Sequence, residues 1–177
     1  AFYGPKIDLH VKDAIGRRWQ LSTIQVDFAQ PDNFDLQFVD SNNKRVKPVM
    51  IHRALLGSIE RFTGILIENY AGEFPGWLSP VQVKILTIGD VSNYLNKITK
   101  SLKGFRYEVD DRNLRLGEKL HDASKDRIPI TLIVGEKDEL SNTLAINIRS
   151  QDNQQNVKYE DAIKQIKANL KTPIFKI

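Results

Sequence analysis

From residue 81 onward the chain alternates apolar, β-branched runs with runs of helical spacing, and this alternation restricts the fold more than any other feature. VQVKILTI reads as a strand, SNYLNKITKSL as a helix, FRYEVD as a strand, LRLGEKLHDASKD as a helix and PITLIVG as a strand. Strands separated by whole helices cannot fold back as hairpins; they lie parallel, joined by right-handed crossovers. TLAINIR follows as an added strand and the polar QDNQQN as a loop. Residues 159–170, with Ala162, Ile163, Ile166 and Leu170 on one face, close the unit as a helix.

The first part of the chain obeys a different pattern. Lys6–Lys12 alternates, with Ile7, Leu9 and Val11 on one side and Asp8, His10 and Lys12 on the other, as in a half-buried strand. DAIGRR supplies a turn, and 19–28 reads as the second strand of an antiparallel hairpin. Residues 34–39 and 45–51, separated by DSNNK, predict two short strands, and MIHRALLGSIERFTGILIENY then has helical spacing through Leu55, Ile59, Phe62, Leu66 and Tyr70. That is an α+β arrangement, one long helix against an antiparallel sheet. EFPGWLSP, with Pro75, Gly76 and Pro80, ends it, so the predicted domains are 1–79 and 80–177.

Composition excludes several classes of chemistry. There is no cysteine, hence no disulfide and no thiolate metal ligand within the chain. No apolar run approaches the ~20 residues that span a bilayer, and AFYGPKID lacks a secretory pattern; no membrane partner is expected. The chain starts without methionine on the approach to a strand, so further sequence is expected upstream. The net charge is +4. Residues 1–79 hold nine Lys/Arg against nine Asp/Glu, and residues 80–177 hold seventeen against thirteen, so the excess lies in the second part. Solvated surface and a polyanion partner explain it equally well.

Neither a GxxxxGK[ST] loop nor a GxGxxG turn is present, and none of the three histidines lies near a nucleophile elbow. The helical run is more informative. Ala54, Gly57, Arg61 and Gly64, with Ser58 beside them, fall on one stripe of it. Two glycines on a helix face admit close approach, by another helix in the simplest reading. The arginine between them adds a second reading, a floor for something planar or anionic. His52, at the start of the run, reads as structural on spacing alone.

MIHRALLGSIERFTGILIE resembles motif 3 of the class II aminoacyl-tRNA synthetases. Together with AFYGPKIDLHVKDAIGR, STIQVDF and PVMIHRALLGSIERF, it is similar to the threonyl-tRNA synthetases. SPVQV, DDRNLRLGEKL and IPITLIVGEKD resemble that family's anticodon-binding domain. The resemblance implies the end of a class II catalytic core followed by a mixed five-stranded α/β domain.

It also implies roles. Arg61 would be the catalytic arginine, stacked on adenine and touching ATP phosphate, with Gly57, Ser58, Gln20 and Thr23 lining the nucleotide. Tyr3, Lys6 and Gln25 would surround threonine. His52 would ligate a zinc ion whose other ligands, a Cys and a His, lie upstream. His121, Arg127, Asp138 and Asn147 would contact the anticodon. The implied partners are ATP with Mg²⁺, L-threonine and tRNA(Thr), in a homodimer formed through upstream residues. Gln20 and Thr23 stand three apart, on opposite faces of a regular strand, so their joint role requires a bulge or a backbone contact.

Some positions depart from the family. Gln20-Leu21-Ser22-Thr23 stands where the family reads Gln-Cys-Gly/Ala-Thr. His121 and Asn147 replace arginines of bacterial members, Asp138 replaces a glutamate, and Arg127 is retained. These departures and the basic charge lean toward a mitochondrial rather than cytoplasmic relative. The alternative is a catalytically inert, synthetase-like RNA-binding or regulatory protein; a third reading is an α+β plus α/β protein with no RNA partner.

Overall fold

The computed structural model describes residues 2–174 and divides into two compact units, 1–70 and 71–177.

In the first unit, β1 (Lys6–Lys12) and β2 (Arg18–Asp27) form the predicted antiparallel hairpin, closed by Asp13, whose carboxylate accepts from Arg17 and the Trp19 indole. Burial alone would raise the Asp13 pKa, but these hydrogen bonds outweigh it and lower the group to about 2. A short helix α1 (Ala29–Asn33) follows, then a two-residue ladder of β3 (Phe38–Val39) and β4 (Arg45–Val46). The strand β5 (Met50–Ala54) adds antiparallel to the free edge of β2, giving the order β1-β2-β5, and α2 (Ile59–Tyr70) ends the unit.

Two expectations change here. The helix does not begin at Met50. Residues 50–54 alternate in burial as a strand does, and Gly57 at φ +69° turns the chain before α2 starts. The stripe joining Ala54, Gly57, Arg61 and Gly64 therefore spans a strand, a turn and a helix. The apolar faces are also less covered than the patterns imply. Ile7, Leu9, Val11, Ile24 and Ile51 are exposed, as are Leu55 and Ile59, and α2 only half-buries Phe62, Leu66 and Tyr70 among the described residues.

The second unit holds the hydrophobic core. β6 (Val83–Ile88), α3 (Ser92–Ser101), β7 (Tyr107–Asp110), α4 (Leu116–Lys125) and β8 (Ile130–Gly135) form the predicted β-α-β-α-β succession, with β6 parallel to both β7 and β8. α5 (Glu136–Ser141), β9 (Thr143–Ile148), β10 (Gln154–Lys158) and α6 (Tyr159–Asn169) complete a mixed sheet of order β10-β9-β8-β6-β7. Ile85, Leu132 and Ile146 from the sheet meet Ile98 and Leu102 near α3 and Ile166 of α6 in one cluster, whose burial drives the packing. α5 and β10 were not foreseen: α5 is a single acidic turn and a half, and β10 overlaps the polar stretch read as a loop.

The segment before β6 packs with this unit, so the units divide at residue 70 rather than near 80. Arg106 donates to the carbonyls of Trp77, Ser79 and Pro80, and Gln82 Nε2 donates to Gly76 O at 2.8 Å. A proline-rich segment spends few of its carbonyls on regular structure, and these side chains satisfy them.

Candidate functional site

The register of the first sheet gathers polar side chains on one face. Lys6, Gln25 and His52 stand in one row, Asp8, Thr23 and Ala54 in the next. The following row is displaced: Leu9 pairs with Ser22 but His10 pairs with Gln20, so Leu21 is the extra residue of a β-bulge. The bulge changes the parity of β2 and puts Gln20 and Thr23 on the same face. Both donate to one atom, Gln20 Nε2 to Asp8 Oδ1 at 2.7 Å and Thr23 Oγ1 to the same oxygen at 2.6 Å. Lys6 Nζ takes the other carboxylate oxygen at 2.8 Å. The Lys6 ammonium first, then the Thr23 hydroxyl, hold the Asp8 pKa below the usual carboxylate value. Asp8 was not foreseen as a site residue, although the period-2 pattern of β1 sets it on the same side as Lys6.

The bulge also meets the turn before α2. A Cβ on Gly57 would lie 3.1 Å from Leu21 O and 3.4 Å from Gln20 O, so the turn comes this close only with glycine. Ser58 Oγ accepts from the Arg61 amide, and Arg61 Nη1 donates to Gln20 O at 3.3 Å. Arg61 is exposed and keeps most of its guanidinium donors. Gly64 stands apart on α2 with nothing within 4 Å of its would-be Cβ. Tyr3 precedes β1, half-buried against Phe2, and neither its hydroxyl nor the Gln25 amide has a hydrogen-bond partner among the described residues.

His52 Nε2 lies 2.8 Å from Oδ2 of Asp27, a buried carboxylate whose Oδ1 accepts from the amides of Ala29 and Gln30. Burial alone would raise the Asp27 pKa; these bonds outweigh it and lower it. A carboxylate on one ring nitrogen leaves the other as a metal donor, the arrangement of many metal-bound histidines. His52 thus fits a single ligand. Among the described residues no group of three His, Cys, Asp or Glu could hold a metal by itself.

In the second unit Arg127 and Asn147 line one cavity of about 290 Å³, together with Glu73, Thr131 and Arg149. Thr131 and Asn147 are register partners on β8 and β9. His121, exposed on α4, is not in its lining. Asp138 is committed elsewhere: its Oδ2 accepts from Gly135 N at 2.9 Å and caps α5. Glu73 was missed because the segment carrying it read only as a domain break, and Arg149 because it read only as the end of the strand TLAINIR.

Residues 1–70 match the family model for the class II core domain of the G, H, P, S and T tRNA synthetases, and residues 82–169 match that of the anticodon-binding domain. Threonine–tRNA ligase of Clostridium tetani is 51% identical over 85% of this chain and 24% of its own length. That of Clostridium botulinum strain Loch Maree is 46% identical over 97% of this chain and 27% of its own. The chain therefore spans about a quarter of the length of these curated relatives. The crystal structure of the RNA-binding domain of threonyl-tRNA synthetase from Cryptosporidium parvum is 31% identical, with a TM-score of 0.79, over 96% of this chain and 44% of that one. The bulged sheet with its arginine-bearing helix and the mixed five-stranded unit after it are thus the two domains in family order, and the chain belongs to the class II aminoacyl-tRNA synthetases, among relatives that are threonine–tRNA ligases.

Proposed function

We propose that the protein acts as a threonine–tRNA ligase. It activates L-threonine with ATP and Mg²⁺ by attack of the amino acid carboxylate on the α-phosphate, then passes the threonyl group to the 3′ end of tRNA(Thr), whose anticodon loop binds the second unit. The observation that carries this reading is the Leu21 bulge, which aligns Gln20 and Thr23 on Asp8 and sets Gln20 O beneath Arg61.

No covalent nucleophile is required of these residues; the work is positioning and charge stabilisation. Arg61 spends one N–H on Gln20 O, leaving a planar fork to stack on adenine and to meet phosphate. Gly57 and Ser58 border the nucleotide without side-chain bulk, and Gln20 and Thr23, oriented by Asp8, form its other edge. Lys6, Gln25 and Tyr3 surround the amino acid. His52, oriented by Asp27, would supply one ligand to a zinc ion, which when bound would act as a Lewis acid favouring an amino acid with a hydroxyl over valine. In the second unit, unstacked bases of the loop meet the cavity at Arg127 and Asn147, whereas His121 lies outside that cavity and Asp138 is held at the start of α5.

The test is Arg61→Ala in the complete protein. Threonine-dependent ATP–pyrophosphate exchange is expected to fall about 10²-fold or more with the fold retained by circular dichroism; unchanged exchange would overturn the nucleotide role of Arg61, and no exchange by the wild type would favour an inert RNA-binding protein.

A further inference from the structure

Arg127 does not stand free at the edge of its cavity. Gly72, at φ +77°, has no side chain where a Cβ would come within 3.2 Å of Arg127 Cδ and 3.4 Å of Nε, so the arginine stem lies across the backbone there. The next residue supplies an anion: Arg127 Nη1 donates to Glu73 Oε1 at 2.7 Å, with both side chains about half exposed. Arg149 ties the two backbones together, donating through Nη1 to Arg127 O at 2.8 Å and through Nη2 to Glu73 O at 3.1 Å and to Phe74 O. Gly72 and the Arg149 clamp thus hold Glu73 against Arg127, and the pair lines the same cavity as Asn147.

We propose that Glu73 is a built-in competitor for RNA at Arg127, its carboxylate occupying the guanidinium until an RNA phosphate displaces it. The inference rests on the reading that the second unit binds RNA through Arg127. Carboxylate and phosphate are the two anions a guanidinium fork accepts, and both want the same N–H groups. An ion pair exposed on both sides is weak, so it yields readily. Meanwhile the clamp keeps the arginine ordered at the cavity, and RNA meets a cation whose conformational freedom is already restricted. RNA seated in the cavity engages Arg127 and displaces Glu73. RNA held only by scattered surface lysines does not, and the pair stays closed. Glu73 therefore lowers the affinity of RNA that uses Arg127 by the cost of opening the pair.

The experiment is a double-mutant cycle on this chain: wild type, Glu73→Gln, Arg127→Gln and the double variant. Binding to a fluorescent tRNA(Thr) anticodon stem-loop is followed by anisotropy over a series of salt concentrations. Glu73→Gln keeps the backbone carbonyl that Arg149 uses, and is expected to bind about 1.5- to 5-fold tighter, the worth of an exposed ion pair. Its slope of log affinity against log salt is expected to steepen by up to about 0.7, one more cation available to a single strand. In the Arg127→Gln background, Glu73→Gln is expected to change nothing. Equal tightening in both backgrounds would mean a general charge effect and overturn the proposal, as would weaker binding by Glu73→Gln. Arg127→Gln binding like wild type would instead overturn the RNA reading of Arg127, whatever Glu73 does.

Discussion

Gly57→Ala and Gly64→Ala should move stability in opposite directions, although their seven-residue spacing suggests one shared helical stripe. Gly57 sits at φ +69°, a conformation that costs an L-residue about 1–2 kcal/mol. Its new Cβ would also press on Leu21 O at 3.1 Å, a backbone atom inside the bulge that cannot step aside without moving Gln20. The combined cost is about 1–3 kcal/mol. Gly64 lies inside α2 with an open space where a methyl would go, so alanine there gains about 0.5–1 kcal/mol of helix propensity. Urea unfolding followed by Trp19 fluorescence, in a Trp77→Phe background that silences the second unit, gives both values from the midpoint shift at constant slope. Because Gln20 O is the partner of Arg61, Gly57→Ala should also lower pyrophosphate exchange in the complete protein, whereas Gly64→Ala should not. Shifts of the same sign would refute the division of the two glycines between turn and helix.

Asp8→Asn keeps the shape of the carboxylate but offers a single acceptor oxygen to three donors. It is expected to reduce exchange about tenfold or more through a raised KM for ATP rather than a lost fold, with Asp8→Glu recovering part; equal loss in both variants, with no KM change, would refute its positioning role. His52→Ala in the complete protein should lose zinc as measured by mass spectrometry of the purified protein, and metal content equal to wild type would end its assignment as a ligand. Asp110 is held at about 2 by the Arg112 guanidinium first, against an ordinary value of 3.8. A depressed carboxylate contributes stability that is complete above about pH 4 and lost as pH falls toward 2. The melting temperature of the second unit should fall over that window, and Asp110→Asn should flatten the fall.

In the second unit the strands most legible in the sequence are those buried on both sides. β6 is covered across five consecutive residues and β8 across most of its length, and such strands announce themselves as predominantly apolar runs even with Lys84, Thr87 and Thr131 among them. β10 is an edge strand that leaves Gln155, Asn156 and Lys158 to solvent and pairs with β9 through its backbone, so QDNQQN carries no periodicity to read. α5 is too short to show any. The run from Met50 to Tyr70 misled for another reason: a strand of period 2, a turn and a helix happen to place apolar residues three or four apart across their joints, and only the left-handed glycine marks the break.

The candidate site adds a stricter lesson, because it depends on a parity that spacing cannot carry. In a regular strand Gln20 and Thr23 face apart, and Asp8 could receive only one of them. One unpaired residue, Leu21, reverses the parity for the rest of the strand and converts two unrelated polar side chains into donors to a single oxygen. The same extra residue pushes the Leu21 and Gln20 carbonyls toward the turn, where Gly57 must lack a side chain and where Arg61 finds its acceptor. The glycine, the arginine, the glutamine and the threonine are thus consequences of one backbone irregularity. A substitution that restored regular pairing by deleting Leu21 would leave every one of those residues in the sequence and separate them in space. Deleting Leu21 should therefore abolish exchange in the complete protein more thoroughly than removal of any one of these side chains.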